Sequence, residues 1–324
     1  MNLALFAIDV WLLVLALALL LWSQVIPNLI RNCRDLAPEA RAGRLLAYAL
    51  APWAIAWLTV ALAFAPTWLA ATGWVTDWCL SRNAGSLAAC PMHGVAANPA
   101  PAAPLLAMLF LLLGAVALMR AGWMIHLAIS IARRLGMVKQ RSLIVDGLRV
   151  DVVAGTQALA MALCVPSCRV VVSEEVVERL EAAEFRALIE HERAHLARGD
   201  AYATLVLGIA TMLLLPRARD ELRAAWRLAV EQSCDSIAAY RTNALTLASA
   251  LLKYARLHTS RQPQAAMLSA FDEADLGARI RSLLHPHTGV ALPSARLRWW
   301  LWASLPLAFT LHELGEFLLL PLVV

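Results

Sequence analysis

His191, Glu192 and His195 stand in the order H-E-x-x-H. Residues four apart share one face of a helix, so both imidazoles can reach a single cation. Zn²⁺ suits imidazole, and a zinc that does chemistry keeps three protein ligands and one open position. Glu192, beside the first imidazole, can take a proton from water at that position. A third ligand must come from elsewhere. Glu231 and Asp235 are also four apart. Glu231 can complete a His₂Glu set, and Asp235 can hydrogen-bond a ligand imidazole. Read alone, they would be surface acids on a helix that also carries Arg223 and Arg227. The upstream pair favours the ligand reading. Together the five residues imply metal-assisted hydrolysis of a peptide bond.

The elements that must position them are legible. Residues 183–197 hold no Gly or Pro and carry Phe185, Leu188, Ile189 and Leu196 at helical spacing. Leu188, His191, Glu192 and His195 share one stripe of that helix, and Gly199 is a natural stop. Residues 224–240 read as a second helix. Asp146-Gly147 lies between two β-like runs over 143–150, a hairpin signal. Residues 169–172 read as a strand, after which Ser173 can cap a helix with Glu174 and Glu175 in its first turn. A small sheet beside the metal helix would offer an edge on which a peptide can add a strand. Tyr240, Arg241, Tyr254 and His258 are candidate donors to a developing oxyanion.

The chain of 324 residues is 61% hydrophobic, with a mean hydropathy of +0.65. That composition points to a membrane protein. Four segments are long enough to span: about 3–26, 45–71, 104–129 and 299–324. Trp22, Trp68, Trp74, Trp123, Trp299, Trp300 and Trp302 gather at their ends, as interfacial anchors do. No Lys or Arg precedes the first segment, so a cleaved signal peptide is not expected. Residues 201–215 are also apolar, but fifteen helical residues reach only about 22 Å. They read as a core or membrane-surface helix. Residues 28–44 carry four arginines, 72–103 carry only Arg82, and 119–298 hold 23 of the 28 basic residues. The positive-inside rule then puts the 72–103 loop outside and the metal-binding block in the cytoplasm. The net charge of +5 reflects this bias, and no direct nucleic-acid binding is expected.

Cys79 and Cys90 fall in the outer loop, where an oxidising compartment would allow a bridge. Cys164 and Cys168 lack a second pair and read as buried small hydrophobes, as does Cys234, despite standing beside Asp235. His312 and Glu316 are four apart in the last span and read as a structural pair.

The residues from Arg169 to Asp200, with Glu231 and Asp235 downstream, resemble the core of the BlaR/MecR antirepressor metallopeptidases, a gluzincin family of membrane enzymes. The likeness covers residues 140–260 well and the spans more loosely. It implies a mainly α membrane protein with four transmembrane helices and a cytoplasmic α+β gluzincin metallopeptidase domain. Residues 1–129 would form three spans and an outer loop at 72–103, residues 130–298 the zinc peptidase, and residues 299–324 the last span. It implies a multi-pass enzyme of the bacterial inner membrane, with Zn²⁺ on His191, His195 and Glu231, Glu192 as base and Asp235 behind a ligand. Its partners would be the bilayer and a protein substrate, a repressor of the BlaI/MecI type. The antibiotic sensors of that family carry a penicillin-binding domain beyond their last span, which these 324 residues do not include, so acylation by a β-lactam is not expected of them. HtpX-type quality-control proteases share the zinc pattern and are the alternative. A non-enzymatic signalling scaffold is a further one, against which Glu192 argues, because a structural zinc site needs no base.

Overall fold

A computed structural model describes residues 3–73, 103–155, 158–164, 167–259 and 266–285. Three long helices come first: α1 (Leu3–Arg31), α2 (Pro38–Ala71) and α3 (Ala103–Met137). Each contains at least 25 residues long and apolar enough to cross a membrane. The Cys79–Cys90 pair, the fourth span and His312 with Glu316 lie outside the described residues. Trp22 differs from its expected interfacial role. It packs inside the bundle, and its indole N–H donates to Tyr48 O at 2.8 Å. Trp123 does face outward.

Four strands follow: β1 (Lys139–Val145), β2 (Leu148–Val153), β3 (Ala160–Leu163) and β4 (Arg169–Ser173), in the order β1-β2-β4-β3. The β1–β2 hairpin turns at Asp146 and Gly147, both with positive φ. That conformation suits the tight primed turns that join twisted strands. β2 and β4 run parallel, while β3 pairs antiparallel with β4 and forms an edge. The strict alternation of a pleated sheet gives it two buried faces. Val150, Val152, Val170 and Val172 pack with Ile189, whereas Val153, Leu163 and Val171 pack with Ala132 near the end of α3.

The remaining described elements are helices: α4 (Glu174–Arg179), α5 (Ala182–Arg198), α6 (Asp200–Ala210), α7 (Pro216–Arg241), α8 (Ala244–Thr259) and α9 (Ala266–Leu284). Ser173 stands at the N-cap of α4 but makes no cap bond. Its buried hydroxyl accepts the Leu159 N–H at 3.0 Å instead. A buried amide without a partner is costly, and the first turn of a short helix has a smaller claim on that oxygen. At α5, Glu181 and Glu184 form a reciprocal capping box, which satisfies two amides that a helix start leaves open. Gly199, at φ 67°, ends α5 in the left-handed region, where a side chain would be strained.

The apolar run at 201–215 forms only the eleven-residue α6 and then turns back. Arg223 secures that turn, donating to Thr211 Oγ1 at 2.8 Å and Gly208 O at 3.0 Å. The Trp53 indole of α2 donates to Ala210 O at 2.8 Å. One buried cluster joins Trp11, Leu15 and Leu45 of the long helices to Ala194, Leu207, Leu222, Trp226 and Cys234.

Glu184 does more than cap. It accepts from Ser249 at 2.7 Å and pairs with Lys253 at 2.7 Å, tying α5 to α8. Glu184→Ala should lower stability by about 1–3 kcal/mol, read as an earlier thermal transition in detergent. An unshifted transition would mean that the cap and its ties to α8 contribute nothing.

Candidate metal centre

α5 and α7 bring the predicted residues together. His191 Nε2 lies 3.2 Å from His195 Nε2 and 3.4 Å from Glu231 Oε2, and His195 Nε2 lies 3.6 Å from Glu231 Oε1. Ligand atoms about 2.0–2.2 Å from a tetrahedral zinc stand about 3.3–3.6 Å from one another. The three side chains are thus spaced as three corners around one small cation, and they form a set able to hold a metal.

Each imidazole turns its other nitrogen to a carboxylate. His191 Nδ1 is 2.9 Å from Asp235 Oδ1, an ion-pair contact rather than a well-aligned hydrogen bond. His195 Nδ1 is 2.8 Å from Asp200 Oδ2. Each carboxylate is in turn held by an arginine. Arg279 donates to both Asp235 oxygens at 2.8 Å, and its remaining amino group pairs with Glu231 at 3.0 Å. Arg198 donates to Asp200 at 3.3 Å and to Ser233 at 2.8 Å. Partners of this kind fix the ring orientation and raise the basicity of a ligating imidazole.

The electrostatics follow from burial and charge. Burial works against a charged His191, yet the Asp235 and Glu231 carboxylates overcome it and raise the ring above its ordinary value. Burial would also neutralise Glu231 and Asp235. Contacts to His191 and Arg279 hold both below the usual carboxylate range. Two ionised acids facing two imidazoles make a basin of negative charge, which a divalent cation can fill in place of a proton.

The metal set opens on a cleft of about 440 Å³ whose walls include Ala160 and Ala162 of β3, Glu192, Thr204, Tyr254 and Arg279. Glu192 is buried beside the two imidazoles, with 8% of its surface exposed. The Tyr254 hydroxyl accepts the Ala160 N–H at 3.2 Å. Burial, with the Glu192 charge behind it, pushes the phenol up and keeps it protonated. Of the other candidate donors, Tyr240 is 93% exposed and absent from the cleft wall, Arg241 donates to Glu190, and the His258 side chain lies outside the described residues.

Cys234 lies behind His195, its Sγ 3.4 Å from Nδ1. Burial and the Asp200 charge push its thiol up, so it serves as packing. Cys164 and Cys168 are not the buried pair expected of them. Cys164 is half-buried and Cys168 exposed, with their sulfurs 2.8 Å apart.

The residue pattern alone gives no role to Asp200 or Arg279. Asp200 directly follows the helix-stop glycine, and a carboxylate there is a readable cue. Arg279 lies 44 residues from Asp235, and no local periodicity marks it.

These features define a metal-dependent peptidase site. The chain belongs to peptidase family M48, whose family model matches residues 120–281, half of its length. Members are zinc metallopeptidases, so the protein is a hydrolase of that kind, which sets the scaffold alternative aside. No curated protein and no solved structure matches the chain.

Replacing Arg279 by Ala would strand the buried Asp235 carboxylate and the half-buried Glu231 one. Zinc affinity should fall by about 10- to 100-fold, measured by competition with a chromophoric chelator. Arg279→Lys should fall between the two, because an ammonium cannot fork onto a carboxylate. Wild-type affinity in Arg279→Ala would show that the guanidinium does not organise the ligands.

Proposed function

We propose that the protein is a membrane-embedded zinc endopeptidase whose cleft faces the cytoplasm. The observation that carries this reading is the triangle of His191, His195 and Glu231 with Glu192 beside it in an open cleft. His191, His195 and Glu231 hold the metal, and Asp235 and Asp200 orient the two rings. Zinc, when bound, supplies a Lewis acid that polarises the scissile carbonyl and acidifies water. Glu192 takes the proton of the attacking water and passes it to the leaving amine. The Tyr254 hydroxyl, protonated and on the cleft wall, would donate to the developing oxyanion.

Substrate binding follows from β3. Ser173 N donates to Leu159 O, so Leu159, Met161 and Leu163 turn their backbone groups toward β4. Ala160 and Ala162 turn theirs outward, as the Ala160 bond to Tyr254 requires. An extended peptide can add to that edge as a strand, displacing the tyrosine hydroxyl from Ala160. A cleft that reads backbone in this way suits cleavage within an extended segment.

The likeness of residues 169–200 to the antirepressors supports a cytoplasmic repressor of the BlaI/MecI type as the substrate, cleaved to release transcription. A second reading is an HtpX-like quality-control protease. It is favoured by Ala201 and Thr204 of α6, which line the cleft on a helix that also packs on the membrane-type helices α2 and α3. Mapping fragments after incubation with a purified repressor or with an unfolded membrane protein separates the two. A single specific cut in the repressor supports the first, and cleavage of the membrane protein alone supports the second.

Glu192→Gln should retain zinc and lose hydrolysis, whereas Glu231→Ala should lose most of the metal. Undiminished cleavage by Glu192→Gln would exclude it as the base, and full zinc occupancy in Glu231→Ala would exclude that ligand.

The proposed topology has four spans, with residues 130–298 in the cytoplasm. Arg219 and the exposed Tyr240 lie beyond α6. Single cysteines at these positions, in a background without native cysteines, should stay unlabelled in intact cells by a thiol reagent that cannot cross the inner membrane. Labelling at either position would put α7 outside.

A further inference from the structure

Cys164 and Cys168 stand at the end of the β3–β4 hairpin. The register pairs Ala160 with Val172, Ala162 with Val170 and Leu163 with Arg169, and its next step sets Cys164 opposite Cys168. Ala160 turns its N–H away from β4, so Ala160 and Ala162 occupy the non-hydrogen-bonded positions of the antiparallel pair, and Cys164 follows them in register one step past the end of the ladder. Facing Cα atoms there are about 4.5 Å apart, the closer of the two spacings. That distance lies inside the range of about 4.4–6.8 Å that a disulfide spans. The sulfurs are already 2.8 Å apart. Among the described residues no third His, Cys or carboxylate completes a metal set around them. Cys164 also lines the cleft, on the same wall as Ala160 and Ala162.

We propose that Cys164 and Cys168 form a reversible redox pair, a cross-strand disulfide that closes the end of the cleft-lining hairpin when a low-molecular-weight disulfide such as oxidised glutathione accumulates. Exposed Cys168 is the attacking group. Burial and the neighbouring thiol push Cys164 up to about 12, so Cys164 waits as a thiol. The Cys168 thiolate attacks one sulfur of the oxidant, forms a mixed disulfide and expels one thiolate. Cys164 gives its proton to that thiolate and attacks Cys168 Sγ, expelling the second. Two cysteine sulfurs are oxidised, and the small disulfide is reduced to two thiols. In a reducing compartment the resting state is the dithiol, and a bridge there is a transient, sensing one. The bridge does not depend on the peptidase reading, and its test leaves that reading untouched.

The test uses the full chain in detergent, reduced and then exposed to oxidised glutathione. Both cysteines fall between Arg149 and Arg169, so one tryptic peptide, residues 150–169, contains the pair. Under non-reducing conditions that peptide should lose two hydrogen masses and regain them with dithiothreitol. Cys164→Ser should trap one glutathione on Cys168. An unchanged peptide, or one ending with glutathione on both cysteines, would overturn the proposal. Failure of Cys168 to take the adduct in Cys164→Ser would overturn the assigned order of attack.

Discussion

A carboxylate at the depth of Asp235, 1% exposed, stays ionised only beside a cation. Arg279 meets it with both arms of the guanidinium and reaches Glu231 with the third nitrogen. That buried fork fixes the rest of the centre. It holds two acids of α7 at a set distance, and α7 in turn sets where His191 must point. The same order repeats on the other side, where Arg198 holds Asp200 and Asp200 holds His195. Two parallel chains of imidazole, carboxylate and guanidinium converge on one point.

How much of this was legible depended on the range of each interaction. The paired imidazoles, the helix that carries them and the stop at Gly199 are local, and a periodicity of 3.6 with one glycine reveals them. Asp146-Gly147 declared its hairpin for the same reason. Arg279 could not be found this way, because its role is created by α9 packing on α7 and by nothing within α9. Ser173 stands at the expected N-cap but bonds differently, since the part-buried amide of Leu159 competes for its hydroxyl. Cys164 and Cys168 read as core residues by type. Their exposure comes from their position at the end of an edge hairpin.

The long helices are part of the same packing. Trp11, Leu15 and Leu45 share one buried cluster with Trp226, Val230 and Cys234. At its rim Arg41 of α2 bonds Gln232, the residue after Glu231, and Gln232 donates to Ala278 O, the residue before Arg279. Arg198 lies 3.9 Å from Glu39 at the start of α2. Displacement of α2 along its axis would therefore pull on both arginine–carboxylate pairs at once.

This continuity has a consequence for how such a protein can be handled and how it can evolve. Catalytic groups housed in a separate module can be cut free, fused elsewhere or exchanged between anchors. Here the residues that line the back of the centre are the same ones that seal α1 and α2 to α7. Removing the first two helices would expose Trp226 and Val230 to solvent and release Gln232 from Arg41. The long apolar helices and the catalyst can then change only together, and whatever surrounds those helices becomes one of the ingredients that shape the peptidase.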